Sequence, residues 1–267
     1  MEVPMFFDFH YLLDLFPQIL KAFPITFFIV LVSTLAGSLL GLLLAVVRLE
    51  KVPILNQLTL VYTSFVQGTP VIVHLFIVYY GVPYLLGLLG IDIAGVSKLT
   101  FMYIAYSLNA GAYFGEIIRS AIANVPRHQF DAAYSIGMDK VQTYRYYILP
   151  QAVKEMIPNI ELSIVSLLQN SSLATYLGIY DIMGKAQLVG TNTAHQIEAF
   201  IDASIIFIVL SVVIHLAFKL FFGADEAKNE ESLVENTASD LGETTSKPKQ
   251  SIGLHQTSFK ESELSYE

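Results

Sequence analysis

From Pro24 to Val47 the chain runs for 24 residues without one charged side chain. At 1.5 Å per residue, a helix of that length crosses the ~30 Å hydrocarbon core of a bilayer. Four more apolar stretches follow. Leu58 to Leu89 is uncharged but interrupted at "QGTP" and again at "YGVP". Leu99 to Ile118 carries Glu116 near its end. Ile157 to Tyr180 holds Glu161 and four consecutive polar residues, and Ala203 to Phe222 ends with Lys219 placed to snorkel. The chain is 54% hydrophobic and only 14% charged, against about 25% charged in soluble domains. The expected fold is all-α and integral to a membrane, with five transmembrane helices.

Lysine and arginine set the expected orientation. Arg48 and Lys51 lie between the first two stretches, and Arg119, Arg127, Lys140, Arg145 and Lys154 between the third and fourth. The alternate connections hold Lys98 alone and Lys185 alone, and Lys21 runs against the trend. This places the N-terminus outside, the C-terminus inside, and the large connection between stretches three and four in the cytoplasm. The net charge of −8 is uneven. Gly223 to Glu267 holds ten acidic residues against four lysines, which leaves the remainder near neutral.

Three parts follow. Residues 1–23 include "HYLLDLFPQILKAF", whose apolar residues suit a helix lying on the outer leaflet. Residues 24–222 form the membrane domain. Residues 223–267 are polar, acidic and poor in large apolar side chains, so they read as a disordered cytoplasmic tail.

Several chemistries are excluded. With no cysteine there is no disulfide, thiolate metal site or cysteine nucleophile. Neither a Walker-type phosphate loop nor HExxH occurs. No catalytic residue, metal ligand or bound cofactor is expected, nothing points to nucleic acid, and any nucleotide hydrolysis must come from another chain.

The cytoplasmic connection reads "VPRHQFDAAYSIGMDKVQTYRYYILPQA". Pro126 suits a helix start and Gly137 a C-terminal stop. Asp139 is a good N-cap for "KVQTYRYYIL", which Pro150 ends or kinks. Two short helices joined by "GMD" are expected. Ala132 and Ala133 permit close approach of another surface.

"DAAYSIGMDKVQTYRYYILP" resembles the EAA loop of ATP-binding-cassette importer permeases, supplying Asp131, Ala132, Ala133, Gly137, Leu149 and Pro150, with aspartate where glutamate is usual. The neighbouring text resembles the polar-amino-acid group of that family. "QGTPVIVHLF" is similar to "RGTPxxVQLF", "AYFGEIIRSAIANVPRHQFDAA" to "AYxSEIxRgAIxSVPxGQxEAA", and "ILPQAVKEMIPNIELSIVSLLQNSSL" to "ILPQAxRxxxPxxxNxxixLxKdTSL". The likeness runs from about Phe16 to Phe222. It implies a type I importer fold in which two permease subunits, identical or homologous, form the path. It also implies two cytoplasmic ATPases holding ATP and magnesium, an extracellular or periplasmic solute-binding protein, an amino-acid substrate and a bacterial cell membrane. Gln129, Asp131, Ala132, Ala133, Gly137 and Pro150 would couple this chain to the ATPase. The chain departs from the pattern at Gln67, His128, and Gln169-Asn170, where Arg, Gly and Lys-Asp are common.

Gln169, Asn170, Ser171 and Ser172 are consecutive, so they cannot share one helical face. A broken helix facing a polar cavity accounts for them better than interhelical hydrogen bonding does. These four, with Asn109, are the candidate substrate path. Amides in place of charges favour a zwitterionic or neutral ligand, such as a polar amino acid or cystine. His74 reads as a hydrogen-bonded packing residue rather than a proton relay, and Glu116 with Arg119, three apart, as an interfacial ion pair. Rival readings are an exporter, a permease for another solute, and a non-transporting scaffold, which would need no coupling loop.

Overall fold

A computed structural model describes residues 7–93 and 95–222, all helix, turn or loop. The acidic segment 223–267, and with it the expectation of a disordered tail, lies outside the described residues.

Helix α1 (Phe9–Leu20) begins at Asp8, whose carboxylate accepts from the His10 N–H at 2.8 Å. Next comes α2 (Phe23–Leu49), with Pro24 in its first turn, where the missing N–H costs nothing. The run after it is broken, as "QGTP" and "YGVP" suggest. Helix α3 (Leu55–Gly68) stops at extended Thr69, and α4 (Val71–Phe76) begins after Pro70. A wide π-type turn, Ile77–Gly81, leads to α5 (Val82–Leu88). Helix α6 (Lys98–Asn124) is capped by Ser97.

The two long helices α2 and α6 are the centre of the bundle, and small residues bring them together. The buried residues of α2 are Thr26, Ile29, Ser33, Gly37, Gly41 and Ala45, one per turn and nearly all small. A Cβ placed on Gly37 would lie 2.6 Å from the Ala110 Cβ, and one on Gly41 2.8 Å from the Gly115 nitrogen. Such close backbones are how helices associate where lipid supplies no hydrophobic drive. The opposite face of α2 presents Leu35, Leu39 and Leu42 outward.

Beyond α6 the chain makes α7 (Arg127–Ser135) and α8 (Lys140–Thr143). Of the two outcomes expected at Pro150, an end or a kink, the structure excludes the end. Helix α8 passes through a second π-type turn, Tyr144–Ile148, into α9 (Leu149–Asn170). Both wide turns precede a proline. Val82 gives its N–H to Ile77 O and Leu149 gives its N–H to Tyr144 O, each five residues back, just before Pro83 and Pro150. Widening the turn lets the helix absorb a residue with no N–H of its own.

After α9 come a 3₁₀ segment (Ser171–Leu177), α10 (Ile182–Thr193) and α11 (Gln196–Phe222). Helix α1 is more than a surface element, since its Leu15 and Ile19 are fully buried against α10 and α11. Asp202 of α11 is buried, and neither carboxylate oxygen has a hydrogen-bond partner among the described residues.

Among the described residues, three helical runs are long and apolar enough to cross a membrane: Phe23–Leu49, Val71–Leu88 and Gln196–Phe222. Helices α6 and α9, of 27 and 22 residues, are long enough but carry more polar side chains.

Candidate functional site

A cleft of about 310 Å³ lies between α6 and α9. Asn109 and Tyr113 enter it from α6, and Asn159, Ser163, Ser166 and Asn170 from α9. The α9 residues are spaced four, three and four apart, which puts them on one face of the helix. Val71, Phe114, Ile117, Leu162 and Leu167 supply apolar wall, and among the described residues no charged side chain lines the cleft.

Asn109 is held from behind. Thr69 Oγ1 donates to Phe65 O at 2.7 Å, which uses its single proton. It therefore accepts from His74 Nε2, 2.5 Å away. The other ring nitrogen, Nδ1, is then an acceptor, and Asn109 Nδ2 stands 3.2 Å from it. This makes His74 a neutral bridge between the "GTP" break and α6, in keeping with the packing reading. With one N–H directed at His74, Asn109 keeps its second N–H and its carbonyl oxygen to present.

The polar quartet does sit at a break. The α-helical pattern ends at Asn170 and the tighter 3₁₀ segment begins at Ser171. Side chains satisfy the carbonyls around it. Ser171 and Ser172 donate to Leu168 O and Gln169 O at 2.7 and 2.8 Å. From α6, Tyr106 Oη donates to Asn170 O at 2.5 Å, and Lys98 Nζ donates to Leu177 O at 2.9 Å. The 3₁₀ segment is thus clipped to α6 at both ends, and Gly178 leaves it at φ +72.

Of the five expected path residues, the structure brings Asn109 and Asn170 to the cleft. Gln169 is exposed away from it, Ser171 is buried in the core, and Ser172 is half-buried and serves its own helix end. Asn159, Ser163 and Ser166 were missed, although their spacing with Asn170 was a readable signal.

A second hollow, about 260 Å³, adjoins the first, sharing Ile117 and Asn159 and adding Glu116, Ser120 and Glu155. Glu116 accepts from Arg119, with Nε at 3.1 Å, and also from Arg48 of α2. Asn124 at the end of α6 donates to Glu155 at 2.6 Å.

The connection beside it forms as its caps dictate. Gly137 has φ +85, and its N–H and that of Met138 bond back to Tyr134 O and Ala133 O, closing α7. Asp139 and Gln142 form a reciprocal capping box at α8. Ala133 is buried, whereas Asp131 and Ala132 are exposed on α7. Gln129 Oε1 accepts from Gln151 Nε2 at 2.5 Å, tying α7 to the start of α9. Pro150 is exposed in the first turn of α9. Lys140 Nζ reaches both oxygens of Glu50, at 2.7 and 2.8 Å, and this bond holds its pKa above the usual value.

Residues 37–222 match the family of binding-protein-dependent transport system inner membrane components. The L-cystine transport system permease protein TcyL of Bacillus subtilis (strain 168) is 38% identical over 214 residues, covering 80% of this chain and 90% of that one. A probable amino-acid ABC transporter permease protein, PatM of Vibrio harveyi, is 35% identical over 203 residues, covering 76% and 89%. A crystal structure of an amino acid ABC transporter with histidines superposes with a TM-score of 0.71 at 26% identity, covering 81% of this chain and 98% of that chain. The MetNI methionine ABC transporter, at 16% identity and a TM-score of 0.56, shares the fold.

Proposed function

Because this chain belongs to the binding-protein-dependent transport system inner membrane components, we propose that it is the permease subunit of an ATP-driven importer for neutral or zwitterionic polar amino acids, cystine among them. The observation that carries this reading is the cleft between α6 and α9, with three asparagines, two serines, a tyrosine and no charge. Amides and hydroxyls both donate and accept, so they match a zwitterion without preferring a net charge.

Five crossings suit this role: α2, the broken run through α3 to α5, α6, α9 with its 3₁₀ extension, and α11. The N-terminus is outside, as the charge distribution favours, and the membrane is the bacterial cell membrane. A second permease subunit completes the path, and a solute-binding protein delivers substrate from outside. ATP and magnesium belong to partner ATPases. Asp131 and Ala132, exposed on α7, meet the ATPase, while Ala133, Gln129, Gly137 and Pro150 hold α7 at its angle. Asn109 and Asn170, with Asn159, Ser163 and Ser166, contact the passing substrate. Gln169, Ser171 and Ser172 shape the break above it.

The test is uptake by the complex reconstituted with its ATPase and binding protein. A panel of labelled L-cystine, L-glutamine, L-arginine and L-lysine is expected to show the first two preferred. Preference for L-arginine or L-lysine would refute the substrate class, and absence of ATP-dependent uptake would refute the permease reading.

A further inference from the structure

The ion pair between Lys140 and Glu50 joins two parts of the chain that are 90 residues apart in sequence. Lys140 is the first residue of α8, and Glu50 caps the C-terminal end of α2. The ammonium contacts both carboxylate oxygens, at 2.7 and 2.8 Å. Each partner is set in place independently. The capping box of Asp139 and Gln142 fixes the backbone at Lys140. Glu50 gives its N–H to Val46 O at 2.9 Å, and the chain then turns through Lys51 at φ +49.

What lies behind Glu50 gives the pair its reach. Two residues earlier, Arg48 pairs with Glu116 of α6, which Arg119 also holds. Leu49, between them, packs against the apolar cluster of Ile148 and Ala152 at the base of the loop. Behind these contacts α2 and α6 pack along the Gly37 and Gly41 seam, so closely that a Cβ on either glycine would clash. A displacement of α8 that is passed to Glu50 therefore moves α2 and α6 together. The Gln129–Gln151 bond is a separate attachment, from α7 to α9.

We propose that the Glu50–Lys140 pair is a positioning contact that transmits the movement of the connecting loop to the α2–α6 pair, alongside the attachment of α7 to α9. The inference rests on the permease reading above, in which nucleotide-driven movement reaches this chain through the loop. Both side chains are about half exposed, at 59% and 47%, so the pair acts by alignment more than by stability.

The test is charge reversal and exchange in the full complex, reconstituted in proteoliposomes with its ATPase and binding protein. L-cystine taken up per ATP hydrolysed is the readout. Lys140→Glu and Glu50→Lys singly are expected to lower that ratio about two- to fivefold, the range an exposed pair sustains, with ATP turnover persisting. The double exchange, Glu50→Lys with Lys140→Glu, restores the opposite charges and is expected to recover the ratio. A purely structural surface role would leave the ratio unmoved in all three. Wild-type ratios in both single variants, or a double exchange no better than the singles, overturn this inference alone. A wild-type complex that turns over ATP without importing L-cystine, L-glutamine, L-arginine or L-lysine overturns the permease reading, and this inference with it.

Discussion

His74 Nδ1 lies 3.2 Å from the Asn109 amide nitrogen, and the proton on the opposite ring nitrogen is committed to Thr69. The imidazole thus needs a donor on one side and an acceptor on the other. A glutamine can supply both. His74→Gln is expected to keep thermal stability and uptake close to wild type. His74→Leu strands the two partner groups, at about 1–3 kcal/mol each. Melting of the purified protein in detergent checks this, and a leucine variant as stable as wild type would sink it.

Gly41 allows no side chain. An added Cβ would sit 2.8 Å from both the Gly115 nitrogen and the Phe114 Cβ. Gly41→Ala is expected to cost about 1–3 kcal/mol through overpacking. Gly87→Ala, where nothing lies within 4 Å, is expected to be neutral or slightly stabilising. Equal melting temperatures for the two variants would refute the seam.

Tyr106→Phe removes the hydroxyl that serves Asn170 O at the helix break. This bond is part-buried, so its loss is expected to cost about 1 kcal/mol, the low end for a carbonyl left without its partner. The amides of 171–177 should exchange hydrogen faster in the variant. Unchanged protection would mean that the 3₁₀ segment does not depend on the clip.

Asp202 is fully buried with both oxygens unpaired among the described residues, which is expensive in an apolar setting. Asp202→Leu, close in shape, is expected to raise the melting temperature by about 2–4 °C for each kcal/mol recovered. A fall instead would show that the carboxylate has a task worth its burial.

At Gly137 the obstacle is backbone, not space. Its φ is +85 and nothing approaches a Cβ within 4 Å. Asparagine tolerates that region and a β-branched residue does not. Gly137→Asn should keep uptake coupled to ATP hydrolysis, whereas with Gly137→Val the reconstituted complex should hydrolyse ATP without importing. Undiminished uptake by the valine variant would count against Gly137 setting the angle of α7.

The helices were legible because hydrophobic length and end signals are local. Pro126, Gly137 and Asp139 each act where their chemistry places them. At Pro150 the residue signals an end or a kink without deciding between them, because the wide turn that carries the helix through has no residue signature of its own. The quartet correctly marked the break, but consecutive residues point in different directions, so only Asn170 of the four reaches the cleft. The remaining lining came from a spaced pattern, Asn159, Ser163 and Ser166, hidden among apolar residues. The seam of Ser33, Gly37, Gly41 and Ala45 was readable as a four-residue period of small side chains. Its partner was not, since Gly111 and Gly115 lie some seventy residues away.

That separation bears on biogenesis. Helix α2 enters the bilayer long before the helix it packs against exists. With about 5–20 residues added per second, Gly41 waits about 4–15 s for Gly115 to be synthesised. Throughout that interval the groove of α2, with its serine and glycines, faces lipid or the insertion machinery instead of α6. Helices α3 to α5 must be laid down without occupying the groove, and α3 carries no glycine-rich face of its own to compete for it. The order of synthesis thus leaves the subunit's central joint open until its sixth helix arrives, so the nascent chain is most exposed to mispairing before Gly115 emerges.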